Sequence, residues 1–230
     1  MPCDIGFKSY ARIEIPQPQP QTFTAKSEAP NIDAELLEKL GIEDPKFLEW
    51  VTELDQRPLL EEALKRALTK VGADGLDFTL NSVGMLEAKG SFVSAREKNL
   101  LSQKAGLVSD RWQFEILGIV AELLDYSVTI TQSDEEMVLE AEEAGKSHPC
   151  DYIKVTRRGD ISEITFEHFK SRKVLDVATA KFLALADKLG VKLTVGDREV
   201  SEGDPFPGEV RHTDDHTHSH DHHNGHDHDH

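Results

Sequence analysis

The chain has 230 residues, of which 38% are hydrophobic, and its formal net charge is −17. This length is enough for one sizeable domain with appendages or for two small domains. An acidic surface repels phosphate groups, so we expect no binding to nucleic acid and none to membranes. No apolar run reaches the ~18 residues of a membrane span, and the first residues lack the features of a secretory signal. The two cysteines are too few for a disulfide framework, so the expected location is cytoplasmic.

Strand and helix patterns alternate through the first part of the chain. Residues 5–15 predict a strand, and the prolines that follow predict an extended spacer. Three helices come next, over residues 34–40, from Pro45 to about residue 54, and over residues 59–71, because apolar side chains recur there at helical spacing. Asp44 before Pro45 is a typical helix start.

A helix followed by two strands recurs along the chain. The helix at 59–71 leads to strands at 76–80 and 85–88, and a helix at 110–124 leads to strands at 124–130 and 137–141. The first strands read Leu-Asp-Phe-Thr-Leu and Leu-Asp-Tyr-Ser-Val, and the second strands share Leu-Glu-Ala. A helix at 172–189 with a strand at 191–195 forms an incomplete third copy. This pattern is typical of degenerate repeats, although matches this short also arise by chance.

A hairpin over residues 152–156 and 161–168 completes the predicted elements. Together they predict an α+β fold with an antiparallel or mixed sheet of roughly seven strands and helices on one face. Two smaller α/β units are the alternative. We assign residues 1–30 to an N-terminal strand and Pro/Gln-rich spacer, 31–196 to a globular α+β body, and 197–230 to a disordered linker and His/Asp-rich tail.

The C-terminal tail is rich in potential metal ligands. Residues 212–230 contain nine His and five Asp among nineteen residues, and no apolar side chain. Such a composition offers nothing to bury, so we predict that the tail is disordered. Imidazole suits Ni²⁺ and Zn²⁺, and overlapping ligand sets raise the apparent affinity. The predicted ligands are His212, His216, His218, His220, His222, His223, His226, His228 and His230.

The histidines of the tail are irregularly spaced, with Asp, Thr, Ser and Asn between them, which is unlike an engineered run of consecutive His. In composition the tail resembles the His-rich extensions of nickel and zinc chaperones and of metal-transport proteins. The resemblance covers the tail alone, and it implies that the chain binds Ni or Zn ions. A tail that only solubilises the chain is the alternative.

The tripeptide Pro-Cys-Asp occurs at residues 2–4 and again at residues 149–151, each time before a predicted strand. If the two strands are neighbours in the sheet, Cys3, His148 and Cys150 come together as a ligand set that suits zinc. A redox-active thiol pair is one alternative. Two buried and unreactive thiols are the other.

Basic residues gather at the start of the last predicted helix. Backbone N–H groups of a helix start, together with basic side chains, can hold a phosphate or carboxylate. Arg157 and Arg158, on the turn of the preceding hairpin, are expected to lie nearby. A solvated face with local ion pairs is the alternative. The predicted anion-binding residues are Lys170, Ser171, Arg172 and Lys173.

Three functions are compatible with these features. The first is a cytosolic accessory protein that stores, buffers or delivers transition-metal ions through its tail, while the body docks an unidentified protein partner. The second is a non-enzymatic structural or adaptor protein whose body binds a protein partner and whose tail is incidental. The third is a small thiol-dependent enzyme that uses Cys150 and His148. The sequence contains no nucleotide-binding, hydrolase or EF-hand motif, so we expect no nucleotide cofactor.

Overall fold

The computed structural model describes residues 7–14, 44–73, 75–82, 84–91, 93–145, 151–159, 161–196 and 198–202. This part of the chain folds into strands and helices in an α+β arrangement. The strands are β1 (Phe7–Glu14), β2 (Leu76–Leu80), β3 (Leu86–Gly90), β4 (Tyr126–Gln132), β5 (Glu136–Glu143), β6 (Tyr152–Arg158), β7 (Ile161–Phe169), β8 (Thr194–Val195) and β9 (Glu199–Glu202). The helices are α1 (Pro45–Glu53), α2 (Gln56–Val71), α3 (Ala95–Leu123) and α4 (Arg172–Lys188).

Seven strands form the main sheet, in the order β4-β5-β6-β7-β1-β8, and β9 also pairs with β1. Strands β4 to β7 follow one another as an antiparallel meander. Strand β1 adds to the free edge of β7, and the short strands β8 and β9 pair with the end and the beginning of β1. Strands β2 and β3 form a separate hairpin. The prediction of an α+β fold with a sheet of about seven strands is confirmed, and its pairings are antiparallel.

Alternation of apolar and polar residues decides which face of the sheet is covered. Leu139 pairs with Val155, Val155 with Ile164, and Ile164 with Ala11, so one row of buried side chains crosses four strands. Helices α3 and α4 pack on this face, α2 packs against α3, and the apolar side chains of all four helices join the same core. Successive residues of a strand point to opposite sides of the sheet, so the polar residues that alternate with this row, such as Glu140, Lys154 and Thr165, lie on the other face.

Each helix begins at a polar residue that caps its first free N–H groups. Asp44 accepts a hydrogen bond from the Phe47 N–H at 3.1 Å and precedes Pro45, as the sequence predicts. Helix α3 has 29 residues and packs closely on the sheet at Gly118, where an added Cβ would lie 3.2 Å from Ile130 Cδ1. A glycine here therefore allows the helix to approach β4. The caps of the other helices are Asp55, Ser94 and Ser171.

The main sheet extends beyond residues 31–196 at both ends. β1 lies inside the sheet, between β7 and the short strands, and β9 lies within the segment predicted as linker. Strand β9 is not predicted from the sequence because Glu-Val-Ser-Glu contains a single apolar residue, Val200. In the structure Val200 packs against the core. The predicted helix at 34–40 and the predicted tail lie outside the described residues.

The order helix–strand–strand does recur, as α2-β2-β3 and as α3-β4-β5. The matching tripeptides and pentapeptides do not occupy equivalent positions, however. Leu76 and Asp77 begin strand β2, whereas Leu124 caps α3 and Asp125 forms the turn with φ of 66°. Only the order of helix, strand and strand is therefore repeated. The two hairpins belong to different sheets.

Candidate functional sites

The residues predicted as metal ligands lie outside the part of the chain that the structure describes. This applies to the nine histidines of residues 212–230 and to Cys3, His148 and Cys150. Among the described residues, no group of three or more His, Cys, Asp or Glu side chains could hold a metal ion. The tail and the cysteine set therefore stay predictions from sequence.

The strands that follow the two Pro-Cys-Asp tripeptides are not neighbours, so the condition stated for a shared site of Cys3, His148 and Cys150 is not met. Strand β7 lies between β1 and β6 and pairs with both. The tight turn at Gly159, with φ of 57°, folds β7 back onto β6. Strand β1 therefore pairs with the other edge of β7. Because β1 and β6 are both antiparallel to β7, they start at the same end of the sheet, roughly 10 Å apart.

The basic segment at residues 170–173 lies at the start of α4, as predicted. Ser171 uses its hydroxyl to accept the Val174 N–H at 3.3 Å, which caps the helix. Arg172 Nε lies 3.8 Å from Asp176 Oδ2, while Lys170 and Lys173 are exposed. The segment therefore has three cationic side chains next to a capped helix start, and anion binding stays a prediction.

Arg157 and Arg158 do not reach this segment, contrary to expectation. They precede β7, whereas Lys170 follows it, so a strand of nine residues, roughly 30 Å long, separates the two basic groups. Both arginines have other partners. Arg157 Nη1 lies 2.9 Å from Asp110 Oδ1 and Arg158 Nε lies 2.6 Å from Glu136 Oε2.

The sheet face opposite the helices carries two tyrosine–glutamate pairs. Tyr152 donates its hydroxyl to Glu140 Oε1 at 2.7 Å, and Tyr10 donates to Glu163. Burial, together with the hydrogen bond to the neighbouring carboxylate, raises the pKa of both phenols. Both tyrosines thus stay protonated at neutral pH and act as hydrogen-bond donors.

Helix α3 contains a buried ion pair that sequence reasoning missed. Arg111 Nη2 lies 2.6 Å from Glu115 Oε1, and the two side chains are only 4% and 7% exposed. At the residue directly before Arg111, burial raises the pKa of Asp110, although the guanidinium of Arg157 opposes the rise. A pair four residues apart on a helix is usually a surface feature, so its burial has no signal in the sequence.

The fold and these sites define an α+β protein with a meander sheet that carries polar side chains on the face opposite the helices. No protein-family model matches the chain, and neither does any curated protein or solved structure. Within the described ranges, none of the helices combines the length and the hydropathy needed to cross a membrane.

Proposed function

We propose that the protein is a cytosolic accessory protein that binds Ni²⁺ or Zn²⁺ through its C-terminal tail, for storage, buffering or delivery. The observation that carries this proposal is the composition of residues 212–230, with nine His and five Asp among nineteen residues. Neutral imidazole is a good ligand for both ions, and aspartate adds oxygen ligands and negative charge. Clustered ligands raise the apparent affinity because a released ion is recaptured nearby.

The net charge of the chain supports the same function. A formal charge of −17 raises the local concentration of divalent cations around the chain. The body contributes an independent antiparallel sheet whose last strand, β9, ends at Glu202, shortly before the tail begins. The predicted tail ligands, His212 to His230, are therefore separate in sequence from every described strand and helix.

Calorimetric titration of the full chain with Ni²⁺ should show about two or more ions bound per chain at pH 7.5, since nine imidazoles supply roughly four ligands for each of two ions. The matched control replaces all nine tail histidines by glutamine, which keeps the length and polarity of the tail. We expect this variant to lose most of the heat. An equal number of bound ions in the two proteins would show that the tail histidines do not bind Ni²⁺.

The affinity of the tail should also fall as the pH is lowered through about 6.5, the pKa of an unperturbed histidine. Protonation takes away the lone pair that binds the metal, so protons compete with the ion and metal binding releases them. Titrations at pH 7.5 and at pH 5.5 measure this effect. Affinity that is unchanged between these values would point to carboxylate ligands instead.

A further inference from the structure

One apolar stripe on α3 is buried in its second half and exposed in its first half. Leu100, Leu107, Phe114 and Ala121 follow one another at intervals of seven residues, so they share one side of the helix, and Val93 lies just before the helix begins. Phe114 and Ala121 are fully buried against the sheet. By contrast, Leu107 is 47% exposed, Leu100 58% and Val93 97%.

The exposure arises because α3 is longer than the sheet beneath it. Its 29 residues span about 43 Å, whereas the seven residues of β4 span about 24 Å. The ion pair between Asp110 and Arg157 marks the end of the sheet, since Arg157 is the penultimate residue of β6. Residues 95–107 thus extend past the sheet, and we call this segment the α3 extension.

The α3 extension is covered on another side by the β2–β3 hairpin and the end of α2. Leu101 lies against Gly75 and Gly90, and Lys104 Nζ donates to the Val71 carbonyl at 2.7 Å. These contacts hold the extension in place and leave the side with Leu100 and Leu107 open. Apolar side chains exposed together on one side of a helix mark a candidate interface.

We propose that this face binds a second copy of the chain, with the two α3 extensions packed antiparallel about a two-fold axis. In this arrangement Leu100 of each copy contacts Leu107 of the other, so the interface is self-complementary, as a two-fold axis requires. The two extensions lie beyond the sheets of their own chains, which leaves room for the contact.

Charge complementarity favours a second copy of the chain as the binding partner. Arg96 is exposed and lies one turn before Leu100 on the same side of the helix. Asp134 and Glu135 are exposed on the turn between β4 and β5, at the end of the sheet under the extension. Antiparallel packing brings Arg96 of one copy level with residue 111 of the partner. The acidic turn lies close to that level, because Arg157 contacts Asp110 and pairs with Met137 just after the turn. Each dimer therefore has two such opposite-charge contacts.

The C-terminal tail is less suited than a second copy of the chain to cover the face with Leu100 and Leu107. Residues 212–230 contain no apolar side chain, so the tail cannot replace water around Leu100 and Leu107 with apolar contacts. The proposed dimer is also independent of metal binding, because none of its contacts involves the tail.

Analytical ultracentrifugation of the full chain between about 1 and about 100 µM, with a chelator present to exclude bridging by metal ions, tests the proposal. The wild-type chain should sediment as a dimer. Leu100→Glu/Leu107→Glu should sediment as a monomer and keep its circular dichroism, since both side chains are exposed. The matched control, Ala95→Glu/Ser102→Glu, adds the same charges to exposed positions on the opposite side of the helix and should stay dimeric. If the glutamates unfold the helix, Leu100→Gln/Leu107→Gln provides the same test without added charge.

A charge exchange tests the arrangement of the two copies. Arg96→Glu should raise the dissociation constant by about tenfold or more, because it places a carboxylate against Asp134 and Glu135. Adding Asp134→Arg and Glu135→Arg should restore most of the affinity. A monomeric wild-type chain would overturn the proposal, and would mean that another segment or another protein covers the stripe. Dimers that survive Leu100→Glu/Leu107→Glu, or a charge exchange without recovery, would overturn it as well.

Discussion

Replacing Glu115 by leucine is expected to lower the free energy of unfolding by about 3–5 kcal/mol. Glu115 and Arg111 form a pair at 2.6 Å in which both side chains are almost fully buried. Without the carboxylate, the guanidinium keeps its cost of desolvation and loses the charge that compensates it. Urea denaturation followed by circular dichroism measures the change.

The control for this prediction removes both charges. Arg111→Met/Glu115→Leu replaces the pair with apolar side chains of similar volume, and such replacements of buried pairs are often neutral or stabilising. We therefore expect the double variant to be more stable than Glu115→Leu alone. A single variant that loses less than about 1 kcal/mol would show that water or another group compensates Arg111.

Phe182→Ala is expected to cost about 3–5 kcal/mol, because removal of a large ring from a packed interior leaves a cavity. Phe182 lies at the centre of the apolar face of α4 and is fully buried. Its ring stands edge-on to that of Phe166 in β7, with 5.9 Å between centroids, so it joins the helix to the sheet.

Phe182→Leu serves as the matched variant, since it keeps most of the apolar volume and loses mainly the aromatic contact. It should cost clearly less than the alanine variant. Thermal and urea denaturation of both variants give the comparison. A loss below about 1 kcal/mol for Phe182→Ala would mean that the core collapses to fill the space or that α4 is only loosely docked.

Local signals in the sequence predicted several elements closely. Helix α4 begins at Arg172 as predicted, because Ser171 is a good cap and apolar residues recur at helical spacing through Phe182. Hairpin β6–β7 was found from two apolar runs separated by the turn at Gly159. In these elements the residues that decide the conformation lie next to one another in the chain.

Helix α3 shows where such signals fail. The sequence predicts its start near residue 110, but the helix begins at Ala95. Its first half buries few residues, and Leu100 and Leu107 are too widely spaced to predict a helix by themselves. The place of β1 beside β7 could not be predicted either, since strand pairing over more than 150 residues depends on the whole fold. The buried pair of Arg111 and Glu115 was missed for the same reason, because burial is a property of tertiary structure.

The candidate metal ligands of the tail, in contrast, follow from composition alone. Imidazole and carboxylate groups bind metal ions wherever they are concentrated. The capacity of the tail to bind metal can therefore be predicted without knowledge of the fold. The zinc site predicted at Cys3, His148 and Cys150 was argued from neighbouring strands. Because β7 lies between β6 and β1, strand order does not support the site, which stays a prediction from sequence.

The most direct test of the proposed function is metal analysis of the untagged full chain, purified without nickel resin from cells grown with Ni²⁺ and Zn²⁺. Mass spectrometry of the purified protein should find about one or more of these ions per chain, as expected for several imidazoles around each ion. The variant with glutamine in place of the nine tail histidines should carry little metal. A full chain that is free of metal, or equal metal content in the two proteins, would contradict the proposal that the tail makes this a metal-binding protein.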